Sequence, residues 1–104
     1  KNNQFEQASM LYQQSIDYNP NVGQTYSNLA VSYQKLNRSS EALWANLKAI
    51  ALATNDNTKA YSHYNIGRIY ENDQDFNQAK HHYQLANQFK PSPAYDEAIQ
   101  RVSR

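Results

Sequence analysis

The sequence predicts an all-α solenoid of repeated helix–turn–helix units, about six helices long, and three observations carry that reading. Glycine and proline number only 2 and 3 in 104 residues, and no strand-like alternation persists. Long stretches instead place apolar residues at i, i+3, i+4 and i+7, which collects them on one side of a helix. These faces then return after 34 and again after 37 residues. Phe5, Ala8, Tyr12 and Ser15 come back as Ser39, Ala42, Asn46 and Ala49, and again as Phe76, Ala79, Tyr83 and Ala86.

Taken in order, residues 1–20 read as half a repeat: the second helix of a unit, over about 4–18, whose first helix is missing. Its face of Phe5, Ala8, Tyr12 and Ile16 is expected to lack its usual partner. Either a parent chain continues upstream, with no initiator Met at Lys1, or a second copy covers that face. A full repeat spans 22–55, with helices expected at 22–36 and 39–53; the first carries Tyr26, Leu29, Ala30 and Tyr33. A second spans 59–91, with helices expected at 59–72 and 75–89. Here His63, Ile66, Gly67 and Tyr70 occupy the matching places. Residues 92–104 form either a capping helix, over 92–103, or the start of another repeat. Ser92 and Pro93 suit its N-cap and first turn, and the polar face of Asp96, Glu97, Gln100, Arg101 and Arg104 favours the cap. Turns are expected at 19–21, 37–39 and 90–93, and the extra residues at 53–58 read as a lengthened loop.

The two interleaved series resemble the tetratricopeptide repeat, W-x2-L-G-x2-Y, then A-x3-F, then P. Tyr26 and His63 stand at the Trp position, Ala30 and Gly67 at the small-residue position, and Pro20 and Pro91 at the closing Pro. Asn46 and Ser39 depart from the pattern by replacing aromatics, so looser packing is expected in the middle repeat. The resemblance implies a right-handed superhelix whose first helices line a concave face that holds peptides.

On that implication the concave residues are Gln24, Ser27, Asn28, Val31 and Lys35 in one repeat, and Tyr61, Tyr64, Asn65, Arg68 and Asn72 in the next. Asn28 and Asn65 are equivalent, and an amide offers donors and an acceptor to a peptide backbone. Such a column resembles the asparagine ladder of a transferase superhelix in the same family. Tyr61, Tyr64 and Arg68 form an aromatic and cationic cluster of residue types enriched at binding hot spots. The family's clamp for chaperone tails needs basic residues where Ser27, Tyr61, Tyr64 and Asn65 stand, so that ligand is disfavoured. Trp44, the only Trp, reads either as cover for the 53–58 loop or as an exposed second contact.

The remaining composition speaks against other classes. Net charge is +1 with 18% charged residues, too weak a field to recruit nucleic acid or an anionic membrane. No apolar run approaches a membrane span, and no signal peptide opens the chain. Mean hydropathy is −0.97, with 13 Asn and 11 Gln. Zero cysteines leave no disulfide and no thiolate ligand, which fits cytosol and periplasm equally. His63 fills a packing position, and the adjacent His81 and His82 diverge by about 100° on a helix, so no metal site is expected. Glu71, Asp73, Asp75 and Asn77 mimic a calcium loop but lack its Gly and distal Glu. Asn37-Arg38-Ser39 is a glycosylation sequon by pattern alone. No catalytic or cofactor motif is present, and none is expected to act. The expectation is therefore a protein–protein interaction module that binds a peptide or protein and scaffolds a larger assembly, without cofactor. The alternatives are a substrate-targeting segment of a larger enzyme such as a transferase, or a segment that self-associates through the 4–18 helix.

Overall fold

In the computed structural model, which describes residues 2–104, the apolar periodicity becomes six helices joined by short turns. They are α1 (Asn2–Tyr18), α2 (Gly23–Lys35), α3 (Ser39–Leu52), α4 (Asp56–Asn72), α5 (Phe76–Phe89) and α6 (Pro93–Val102). Lys1, the first residue of the half repeat, lies outside the described residues. Among those residues there is no strand. The fold is an all-α helical repeat, in which α2 pairs with α3 and α4 with α5, while α2 also packs beside α4.

Each turn has a local cause. At the end of α2, Asn37 takes φ 60°, and its N–H bonds to the Gln34 carbonyl while the Arg38 N–H reaches that of Tyr33. Gln74 repeats this at the end of α4, with φ 63° and bonds to Glu71 and, through Asp75, to Tyr70. Both are left-handed helix stops that satisfy orphan carbonyls and turn the chain back on itself. Asn tolerates that conformation better than Gln does.

α4 starts three residues earlier than its apolar pattern implies. The Asn55 side chain accepts from the Thr58 N–H at 2.8 Å and caps the helix, with Asp56 in its first turn. The extra residues near 53–58 are thus mostly an added helical turn, and the loop shrinks to Ala53–Asn55. Ser92 caps α6 by accepting from the Ala94 N–H, with Pro93 in the first turn.

Among the described residues two clusters lie in the core. Ile16, Tyr26, Leu29, Ala30, Ala45 and Ala49 make one, with Tyr12, Tyr33 and Leu52 packed against it. Ala79, Tyr83 and Ala98 make the other, flanked by Tyr64, Tyr70, Ile99 and Val102. Small residues allow the close approach. A Cβ on Gly67 would stand 2.5 Å from Cε1 of Tyr83, whose ring is wholly buried.

Two expectations are corrected here. The α1 face of Tyr12 and Ile16 is covered, because α2 packs onto it; the uncovered face carries Met10, Leu11 and Tyr18. A second helix of a repeat contacts both its own first helix and the next one, and spacing alone does not divide its stripe between them. Nor is the middle repeat open around Asn46, which is 0% exposed with neither amide atom hydrogen-bonded among the described residues. The departure from an aromatic there costs polar satisfaction, not enclosure.

Candidate binding surface

α2 and α4 lie side by side, and the ten concave-face candidates divide between these two helices. Their contact is polar as well as apolar. Ser27 Oγ and Ser62 Oγ lie 2.8 Å apart in a buried hydrogen bond, and Thr58 Oγ1 donates to Gln24 Oε1 at 3.3 Å. Gln24 in turn donates from Nε2 to Asn28 Oδ1 at 3.2 Å. A chain of hydrogen bonds thus runs from α4 through Gln24 to Asn28.

Two of the candidates lie off the surface. Ser27 is 0% exposed and Asn65 1% exposed, so neither is available to a partner on this face. For Ser27 the reason is the α2–α4 contact, which its bond to Ser62 places on the stripe that the resemblance assigned to the concave side. Asn28 is half-buried with its carbonyl taken by Gln24, whereas Asn65 is enclosed and its Nδ2 has no partner among the described residues. The two equivalent amides therefore do not form an exposed ladder.

The aromatic cluster divides in the same way. Tyr64 is half-buried, its ring 5.6 Å from Tyr83 and 5.1 Å from Tyr95, so it chiefly joins α4 to α5 and α6. Tyr61 is 37% exposed, and the exposed Arg68 holds its guanidinium 5.8 Å from the Tyr64 ring centre. Gln24, Lys35 and Asn72 are exposed and Val31 is half-buried. What remains accessible is a polar face with one aromatic, Tyr61, and two cations, Lys35 and Arg68.

Trp44 is 48% exposed, and its ring meets Tyr26 edge-on at 5.9 Å. Lys48 lies over the same Tyr26 ring at 5.7 Å. Trp44 thus packs on the first helix of its own repeat and keeps half its surface free.

Three features were missed at the level of sequence. Glu71 accepts from Tyr83 Oη at 2.6 Å and from the Nε and a terminal nitrogen of Arg101 at 2.7 and 2.9 Å, tying α4, α5 and α6 together. The paired guanidinium holds the Glu71 carboxyl below the usual carboxylate range, while burial pushes the Tyr83 hydroxyl up. His63 and His82 meet across α4 and α5 with their Nδ1 atoms 3.1 Å apart. Finally, a cleft of about 480 Å³ opens between α1 and α2, lined by Leu11, Ser15, Tyr18, Val22 and Thr25 among others. It lies away from the α2–α4 face. Only the first could have been glimpsed in the sequence, as unlike charges on candidate helices. Partners 19 to 30 residues apart show no spacing signal.

Models of the tetratricopeptide repeat match residues 11–43 and 60–93. No curated protein matches the sequence. Among solved structures, the Arabidopsis OM64 TPR domain is similar, with a TM-score of 0.85 at 20% identity over 96% of this chain and 81% of that one. The N-terminal domain of stress-induced protein-1 (STI-1) from C. elegans is also similar. Its TM-score is 0.81 at 15% identity, over 89% of this chain and 76% of that one. At these identities the likeness concerns the fold.

Proposed function

The chain belongs to the tetratricopeptide repeat family, and from that premise we propose that it binds a peptide or protein segment along the face shared by α2 and α4, scaffolding a larger assembly. Repeats of this family are protein–protein interaction modules, and that general role extends to this chain. The observation that carries the finer reading is the exposed set on adjacent first helices: Gln24 and Lys35 on α2, and Tyr61, Arg68 and Asn72 on α4. Tyr61 and Arg68 can bury large area at little entropic cost, while the amides can bond a backbone. The module itself performs no chemistry in this reading, and it takes no cofactor.

Panning a random peptide display library against the folded chain supplies a probe. Peptides selected on the wild type should bind the Tyr61→Ala, Arg68→Ala double variant at least about tenfold more weakly, the equivalent of about 1.4 kcal/mol. Both side chains are exposed, so the variant keeps its helical circular dichroism. Undiminished binding would remove the α2–α4 face from the proposal.

A second reading, self-association through α1, draws on the exposure of Met10, Leu11 and Tyr18. Light scattering across a concentration series tests it, and a strictly monomeric profile sinks it.

A further inference from the structure

The contact between α4 and α5 has an unusual centre. The Nδ1 atoms of His63 and His82 are 3.1 Å apart, with ring planes 23° from each other and centroids 5.4 Å apart. The centroid separation is close to the N···N distance plus two ring radii, so the two nitrogens face each other head-on. Two ligands of one metal ion would instead converge at an angle and bring the centroids closer. This is an N–H···N hydrogen bond, which requires one ring to carry a proton on Nδ1 and the other to leave Nδ1 bare. Each ring thereby fixes the other's tautomer.

The surroundings supply no compensation for further protons. Phe89 lies nearly parallel to His63 at 5.7 Å, and Tyr70 nearly parallel to His82 at 5.7 Å. From α5, His81 faces His82 edge-on at 5.2 Å, and from α4, Lys59 sits over the Phe89 ring at 5.4 Å. The charges acting on the two rings are those of His81 and of the pair itself. Among the described residues α2 and α3, packed against α4, and α6, packed against α5, add none. Glu71, near the far end of α4, is already held by Arg101 and Tyr83.

We infer that His63 and His82 form an acid-sensitive latch: they share one Nδ1 proton at neutral pH, and protonation of the bare nitrogen parts α5 from α4 and loosens the second repeat. The bare Nδ1 is the sole acceptor in the bond, so filling it destroys the bond and sets N–H against N–H. Burial, followed by the neighbouring histidine charge, holds both rings below the ordinary imidazole value, His82 down to about 4. Unfolded, the same rings take protons near 6.5. Between those values the unfolded chain therefore binds more protons than the folded one. The latch is intact above the upper value and is lost as pH falls toward the lower.

Two measurements on the whole chain test this. Long-range proton–nitrogen NMR of the wild type at neutral pH should show one protonated and one bare Nδ1 in the pair, and both rings should take protons below the ordinary histidine value, His82 down to about 4. Two rings titrating independently at that ordinary value overturn the latch, and this arm needs no variant to fold. In thermal melts, the wild-type Tm should fall by about 5 °C between about pH 7 and about pH 5. His82→Phe, which keeps an aromatic ring beside Tyr70, should flatten the profile, and His81→Gln should leave the fall in place. The same fall in His82→Phe as in the wild type also overturns it.

Discussion

Adding one methyl group at Gly67 sets two opposite effects against each other. Alanine in a helix interior is favoured over glycine by up to about 1 kcal/mol. The new Cβ, however, would lie 2.5 and 2.6 Å from Cε1 and Cδ1 of Tyr83. That ring cannot swing aside cheaply, being 0% exposed with its hydroxyl bonded to Glu71 at 2.6 Å. Overpacking of this kind costs about 1–3 kcal/mol, so the clash wins. Gly67→Ala should lower Tm by roughly 5 °C; a Tm at or above the wild-type value would show that the ring yields. In the preceding repeat the slot equivalent to Gly67 holds Ala30, and the slot equivalent to Tyr83 holds the smaller Asn46. The small residue is needed in proportion to what faces it.

At the scale of the element, α6 is held from two sides. Its start is fixed by Ser92, and by Asn87, which accepts from the Ser92 N–H at 3.0 Å and donates to Asp96 at 2.6 Å. Its end is fixed by the Arg101–Glu71 pair, bidentate and joined by the Tyr83 hydroxyl. The Glu71 side chain is only 21% exposed but Arg101 is 43% exposed, so the pair is worth less than a buried one. Arg101→Ala should destabilise the chain by about 1 kcal/mol, read in urea unfolding. Its pH signature lies below that of the histidine latch. Glu71 is depressed when folded, chiefly by the Arg101 hydrogen bonds. Its contribution is present above the unfolded carboxylate value and disappears as pH falls through the lower folded one. Arg101→Ala should therefore be less stable than the wild type above about pH 5 and converge with it as the carboxyl takes its proton in acid. A uniform offset at every pH would count against the ion pair as the cause.

As a whole the molecule is a row of helices, measuring 41 × 30 × 19 Å, in which stability passes between neighbours. The α4–α5 and α2–α3 contacts are the most extensive, whereas α1 packs on α2 and leaves Met10, Leu11 and Tyr18 exposed. Ser9 and Ile16 are its only buried residues among those described. Amide hydrogen exchange should therefore be fastest in the first half of α1 and slowest in α4 and α5. Equal protection along all six helices would show that the chain opens as one unit instead.

The sequence by itself determined the helical class, the repeat and the order of its helices, because these follow from local periodicity, caps and turn residues acting within one or two turns of chain. Ser92 and Pro93 opened α6 as their chemistry requires, and Gly67 stood where a close approach was needed. Even so, a short-range signal was misread at Asn55, whose cap moved the start of α4 back to Asp56. Only the tertiary structure decided which side of each stripe meets which neighbour. Packing buries Ser27 and Asn65, leaves Tyr61 and Arg68 at the surface, and sets Tyr64 against Tyr83 and Tyr95. The pairing of His63 with His82 and of Glu71 with Arg101 belongs to the same level, since residues 19 and 30 apart meet only when the helices are packed. Periodicity says that a helix has an inner face. Packing says where the rim of that face falls, and a binding surface lives on the rim.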